Sequence, residues 1–141
     1  MDVRALLELD EGRIPWAYAD SLGYLTIGVG HLVDKRKGGK LPPAIIDALL
    51  DHDIEDAKNA CRRLFPNFDN IGEVRQAVLI SMAFNLGEAG LAKWPIFIGQ
   101  ITRHEFVKAA ANMRGTLWAT QVKARAARLA RMMEIGEWPA A

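Results

Sequence analysis

The spacing of apolar and polar positions divides the chain into a short helix, a strand-like stretch and a long helical remainder. Residues 2–11 place Val3, Leu6, Leu7 and Asp10 on one helical face, with Asp2 as cap and Gly12 as stop. Over 15–34 the period changes. Leu25, Ile27 and Val29 alternate with Tyr24, Thr26 and Gly28, and Pro15, Gly23, Gly28 and Gly30 break any helix. The stretch 20–23, Asp-Ser-Leu-Gly, reads as the turn before this strand, and 35–40 as a basic loop after it. Pro42-Pro43 then opens a long helix to about residue 64, its stripe formed by Ile46, Leu49, Leu50, Asp53, Ile54, Ala57, Cys61 and Leu64.

Beyond Pro66, residues 74–86 are apolar nearly all round, as befits a helix at the centre of a bundle. A shorter helix starts at Trp94-Pro95, another ends near Met113, and the last spans 122–135 with Gly136 behind it. Asn70 to Glu73 and Thr102 to Glu105 read as capping boxes, and 115–120 as a connector. The expected class is α+β and mostly helical. A small N-terminal β-hairpin lobe (12–42) is joined by a long helix (43–64) to a helical lobe made of 65–141 and the helix 2–11. One domain, 1–141, holds them all, without internal repeat or interdomain linker.

Helical phase separates two neighbouring acids. Asp10 falls in the middle of an apolar stripe, where a carboxylate requires a cationic partner. Glu11 lies at the stripe's edge, about 40° from Leu7 at roughly 100° per residue, and is expected half-buried at the helix end. Asp53 repeats the pattern of Asp10 on the long helix, and His31 is the most economical partner for it.

Composition narrows the function classes. The chain has 141 residues, half of them hydrophobic and a quarter charged, enough for one soluble domain with a core of its own. No apolar run approaches the ~20 residues of a membrane span, so stable membrane insertion is not expected. The first residues lack a basic start followed by an apolar stretch, which predicts no secretory signal. The net charge of +1 does not suggest nucleic acid, although residues 1–72 carry nine Lys/Arg against twelve Asp/Glu and residues 73–141 nine against five. Cys61 is the only cysteine, excludes an intramolecular disulfide, and reads as a buried thiol. His31, His52 and His104 form no ligand cluster, so neither metal nor cofactor is expected, and Gly28-Val-Gly-His lacks the third glycine of a dinucleotide loop.

The candidate chemistry lies near the N-terminus. Two carboxylates facing each other across a groove can split a glycosidic bond, one donating a proton while the other activates water or attacks. Glu11, at a helix end, suits the acid, because desolvation favours the protonated form of a carboxyl group. Asp20, in a polar turn, suits the ionised partner, and Thr26 could hold a water beside it. The spacing Glu-x8-Asp-x5-Thr is weak evidence alone.

A longer pattern makes it specific. Glu11-Gly, Tyr18-x-Asp20 and Gly23-Tyr-x-Thr26-Ile-Gly-x-Gly30-His31-Leu32 resemble the signature of the T-even phage lysozyme family, the endolysin muramidases of glycoside hydrolase family 24. The similarity continues through Val74-Arg75, Ile80-Ser-Met82-Ala-Phe84-Asn-Leu-Gly87-Glu-x-Gly90, Ala110-x-Asn112, Trp118 and Arg125-x-x-Arg128. The resemblance implies a lysozyme-like fold and inverting hydrolysis of the β-1,4 bond between N-acetylmuramic acid and N-acetylglucosamine, serving host cell lysis. Glu11 would be the general acid, Asp20 would position or deprotonate the attacking water, and Thr26 would be its hydroxyl partner. Inversion implies carboxyl groups about 6.5–9.5 Å apart.

By the same resemblance Leu32, Phe84, Phe97 and Asn112 would line the sugar groove. Phe97 departs from the small polar residue expected there, and Asn85 replaces a longer amide. Trp118 is expected to pack the core more than to stack on sugar. Arg128 is expected to neutralise Asp10, and Arg125 to approach Glu11, where its charge would oppose the effect of burial. The stretch between His31 and the long helix is shorter than in longer members, so the β lobe should be small. The implied partner is the peptidoglycan glycan strand, met by a monomer held in the host cytoplasm until a holin-type pore releases it to the wall in the periplasm. Two rival readings stand beside hydrolysis: a lytic transglycosylase, which needs no water, and a catalytically silent peptidoglycan-binding module.

Overall fold

Residues 2–33 and 40–140 are described in a computed structural model. Most of the predicted basic loop, residues 35–39, lies outside them. The elements are α1 (Val3–Glu11), β1 (Ile14–Ala19), β2 (Leu25–Gly28), β3 (His31–Leu32), α2 (Pro43–Leu64), a 3-10 turn (Phe68–Asn70), α3 (Glu73–Leu91), α4 (Pro95–Thr102), α5 (Phe106–Arg114), α6 (Leu117–Val122) and α7 (Ala124–Ile135). The class is α+β and mostly helical. The chain divides into two compact units, Met1–Leu49 and Leu50–Ala141, with the boundary inside α2. No described helix is long and apolar enough to cross a membrane.

In the first unit, Asp2 caps α1 by accepting from the Ala5 amide at 2.8 Å. Gly12 ends the helix at φ +74°, a backbone region open to glycine. The three strands form one antiparallel sheet in the order β1-β2-β3. Tyr18 pairs with Thr26 and Ala19 with Leu25, while Thr26 pairs with Leu32 and Ile27 with His31. The sheet therefore hangs on β2, and Thr26 faces a partner on either side. None of α1's residues is buried: Val3, Leu6, Leu7 and Leu9 all remain exposed.

The second unit holds the hydrophobic core. Phe65, Leu79, Met82, Leu91, Phe97, Ile101, Met113 and Met133 are fully buried there. Phe97 meets Phe65 edge-on at 6.1 Å and Trp94 at 5.7 Å, and Trp94 meets Trp118 at 5.8 Å, so four aromatics form one chain of T-shaped contacts. Two ion pairs tie the helices at their surface. Arg63 on α2 donates Nε and Nη2 to the two carboxylate oxygens of Glu88 on α3, both at 2.7 Å, which holds the Glu88 carboxyl below its usual range. Arg114 on α5 meets Glu134 on α7 at 2.9 Å. Arg75 on α3 donates to the Met133 and Glu134 carbonyls at the end of α7 and lies 4.0 Å from the centre of the Phe106 ring.

Three local expectations are corrected. Residues 115–120 are not a plain connector: Thr116 accepts from the Ala119 amide at 3.1 Å and so starts α6. Neither predicted capping box forms. Asn70 closes the 3-10 turn and α3 begins behind Gly72, without a side-chain cap. Thr102 remains in α4, donating its hydroxyl to the Ile98 carbonyl, while Glu105 is occupied by Arg103 and Lys108. In the second case local partners take up both side chains and displace the reciprocal cap. Gly87 does interrupt α3, at φ +74° and ψ 163°, but helix resumes beyond it to Leu91.

Cys61 is buried, and that burial pushes its thiol up to about 12, with Glu88 adding to the shift. Iodoacetamide at mildly alkaline pH should therefore label the native protein only as fast as it unfolds. Labelling at the rate of a free thiol would contradict the burial.

Candidate active site

Glu11, Asp20 and Thr26 all belong to the first unit, and the sheet spaces them. Asp20 lies between β1 and β2 in a self-braced turn. Its Oδ1 accepts from the Leu22 amide at 2.9 Å and the Tyr24 amide at 2.8 Å. Its own amide donates to the Tyr24 carbonyl at 2.9 Å, and the Gly23 amide donates to the Asp20 carbonyl at 2.9 Å. Gly23 takes φ +83°, which a side chain would resist. An aspartate side chain makes such a turn easily, so the sequence folds locally around the carboxylate it presents. Both amides go to Oδ1, which leaves Oδ2 outside this bracing.

Thr26 is 6% exposed and is the one buried polar or charged residue among those described. Its hydroxyl donates to the Tyr24 carbonyl at 3.2 Å. Tyr24 thus joins the pair: its amide holds Asp20 and its carbonyl holds Thr26. Strand alternation was expected to turn Thr26 away from the apolar side. On that face it is more buried than Leu25 or Ile27, with Tyr18 and Leu32 as its partners in the neighbouring strands.

Glu11 comes from the last residue of α1 and reaches the other end of β2. Its carboxyl lies against Gly30 in the turn before β3: a Cβ placed on Gly30 would fall 2.7 Å from Glu11 Oε2, 2.8 Å from Cδ and 2.9 Å from Cγ. Gly30 sits at φ +62°. One carboxylate therefore stands at each end of β2, with Thr26 between them. The expected half-burial of Glu11 is not found: the side chain is exposed.

The remaining residues of interest are distributed over both units. In the first, Leu32 is 42% exposed on β3, and His31 is exposed beside it. Asp10 is exposed and has no cationic partner among the described residues of its unit; Arg13 and Arg4 go to Glu8 instead. In the second, Phe84 is 49% exposed and borders two clefts. The first, about 600 Å³, lies between α2 and α3 and is also lined by Asp53, Asp56, Arg63 and Glu88. Asn112 donates to the Gln100 side chain at 3.2 Å and borders a 490 Å³ cleft with Trp94 and Trp118.

One expectation changes here, that for Phe97, and two arginines are described within their own unit. Phe97 is 1% exposed, a core residue whose ring faces Phe65 and Trp94, which leaves it no face for a sugar. Arg125 donates to the Ser81 carbonyl and hydroxyl, at 3.2 and 3.0 Å, a partner in its own unit that the sequence did not suggest. Arg128 is exposed on α7. Trp118 is buried as expected, and its indole donates to Asn85 Oδ1 at 2.7 Å. That bond uses the carbonyl of the amide noted as shorter than the family pattern. Gly30 was visible in the sequence as a helix breaker and as part of the family pattern, but neither signal pointed to its contact with Glu11.

Comparison with known proteins places these residues in context. A family model described as phage lysozyme matches residues 9–132. The chain is 26% identical to the pre-baseplate central spike protein Gp5 of Enterobacteria phage T4, over 96% of the chain but only 28% of that protein, so it spans under a third of that relative. It is 23% identical to each of two Dictyostelium discoideum proteins named "Probable T4-type lysozyme 1" and "Probable T4-type lysozyme 2". Those alignments cover 95% of the chain and 94% of each relative.

Proposed function

From the chain's membership of the phage lysozyme family, we propose that this lysozyme-type peptidoglycan hydrolase cleaves the β-1,4 bond between N-acetylmuramic acid and N-acetylglucosamine with inversion. The observation that carries the reading is the joint bracing of Asp20 and Thr26 by Tyr24, with Glu11 at the opposite end of β2.

Each group has a distinct task. Glu11, exposed and unbraced by a cation among the described residues of its unit, gives its proton to the glycosidic oxygen as the bond to the anomeric carbon breaks. A water donates one hydrogen to Asp20 Oδ2 and the other to the Thr26 oxygen, whose own proton is committed to the Tyr24 carbonyl. Its lone pair attacks the anomeric carbon from the face opposite the leaving group, and Asp20 takes up the proton released. The turn fixes Asp20 before substrate arrives, so little ordering remains for the reaction step.

Leu32, Phe84 and Asn112 are the proposed sugar contacts. Phe84 and Leu32 offer exposed apolar surface to a pyranose face, and Asn112 offers an amide. The protein would act as a monomer in host lysis, reaching the wall from the cytoplasm through a holin-type pore. Incubating purified sacculi with the wild type should release soluble glycan fragments; intact sacculi after prolonged incubation with folded protein would refute the activity.

A further inference from the structure

We infer that Gly30 is a positioning residue, the seat that sets where the Glu11 carboxyl stands. The inference rests on the catalytic role proposed for Glu11 and extends it to a residue that touches no substrate. The three atoms nearest to a Cβ at position 30 all belong to Glu11, at 2.7, 2.8 and 2.9 Å, closer than non-bonded carbon atoms approach. The bare backbone of Gly30 is therefore what allows the carboxyl group to lie against the turn. Glu11 is the last residue of α1 and its side chain is exposed, so its own unit encloses it weakly. Contact with the turn fixes its position in place of burial.

A methyl group at position 30 would push the carboxyl aside. A flexible side-chain end yields easily, so the fold should survive while the acid moves. The cost should fall on the chemistry, where a displacement of about 1 Å can lower turnover on the order of a hundredfold.

Gly28 provides an internal control. It takes φ +70° in the same hairpin, against +62° at Gly30, so alanine meets a similar backbone penalty at either position. A Cβ on Gly28 has nothing within 4 Å. The two substitutions share the strain and differ in the contact with Glu11.

The test compares crystal structures, melting temperatures and kinetics of Gly30→Ala and Gly28→Ala. Glu11 should be displaced in Gly30→Ala and unmoved in Gly28→Ala. On purified glycan strands, kcat of Gly30→Ala should fall about a hundredfold below that of Gly28→Ala, with KM little changed. A Glu11 carboxyl in its original place in Gly30→Ala, or equal kcat for the two variants, would overturn the inference. Should Gly30→Ala fail to fold, the pairs Glu11→Ala/Gly30→Ala and Glu11→Ala/Gly28→Ala decide. Equal melting temperatures support the seat, because truncating Glu11 empties it, and a markedly lower value for the Gly30 pair overturns it. Were Glu11→Gln as active as wild type, the catalytic reading would fail while the structural and melting comparisons still decided the seat.

Discussion

Glu11→Gln is expected to lower kcat on peptidoglycan strands by about 10²–10⁴-fold, the range general acid catalysis supplies. Glutamine keeps the shape of the side chain and its contact with Gly30 but has no proton of suitable acidity to give. Because Glu11 is exposed, the folded state should hardly notice the change, with stability altered by no more than about 0.5 kcal/mol. The comparison therefore separates chemistry from folding: steady-state kinetics should collapse while the urea midpoint stays in place. Retained turnover, or a loss matched by unfolding, would contradict the role assigned to Glu11.

The second large effect is on stability. Phe97→Ala should reduce the unfolding free energy by about 3–5 kcal/mol, the usual cost of truncating a buried aromatic ring. Phe97 is fully enclosed and connects Phe65 to Trp94, so its loss removes two edge-on aromatic contacts and leaves a cavity at the centre of the second unit. Urea denaturation measures the loss directly. The sugar-groove role first expected for Phe97 makes the opposite forecast, a raised KM with stability intact.

What the sequence disclosed follows the strength of local signals. Asp2, Gly12, Pro43 and Gly136 mark helix boundaries because capping and backbone restrictions act within a few residues. The β stretch was legible because its apolar positions alternate and Asp20-Ser-Leu-Gly23 is turn chemistry. The candidate pair stood out chiefly through the family pattern; spacing alone left Glu11 and Asp20 as two acids among seventeen. Contacts that depend on distant parts of the chain were harder to read. Phe97 looks like any exposed or buried aromatic until Phe65 and Trp94 surround it. Arg125 could face several groups, and the choice of Ser81, forty-four residues earlier, is a tertiary fact. The burial of Thr26 could not be read from alternation, which gives a residue's face but not what covers it. Gly30 shows the same limit at short range, since the carboxyl that lies against it comes from another element.

The central claim is that Asp20 and Thr26 direct a water at the anomeric carbon while Glu11 protonates the departing oxygen. The most direct test is proton NMR of the first product formed from purified β-1,4-linked glycan strands, recorded before mutarotation. The account predicts an N-acetylmuramic acid reducing end that appears first as the α-anomer. A product that appears first as the β-anomer, or one that ends in an anhydro-sugar, would contradict it.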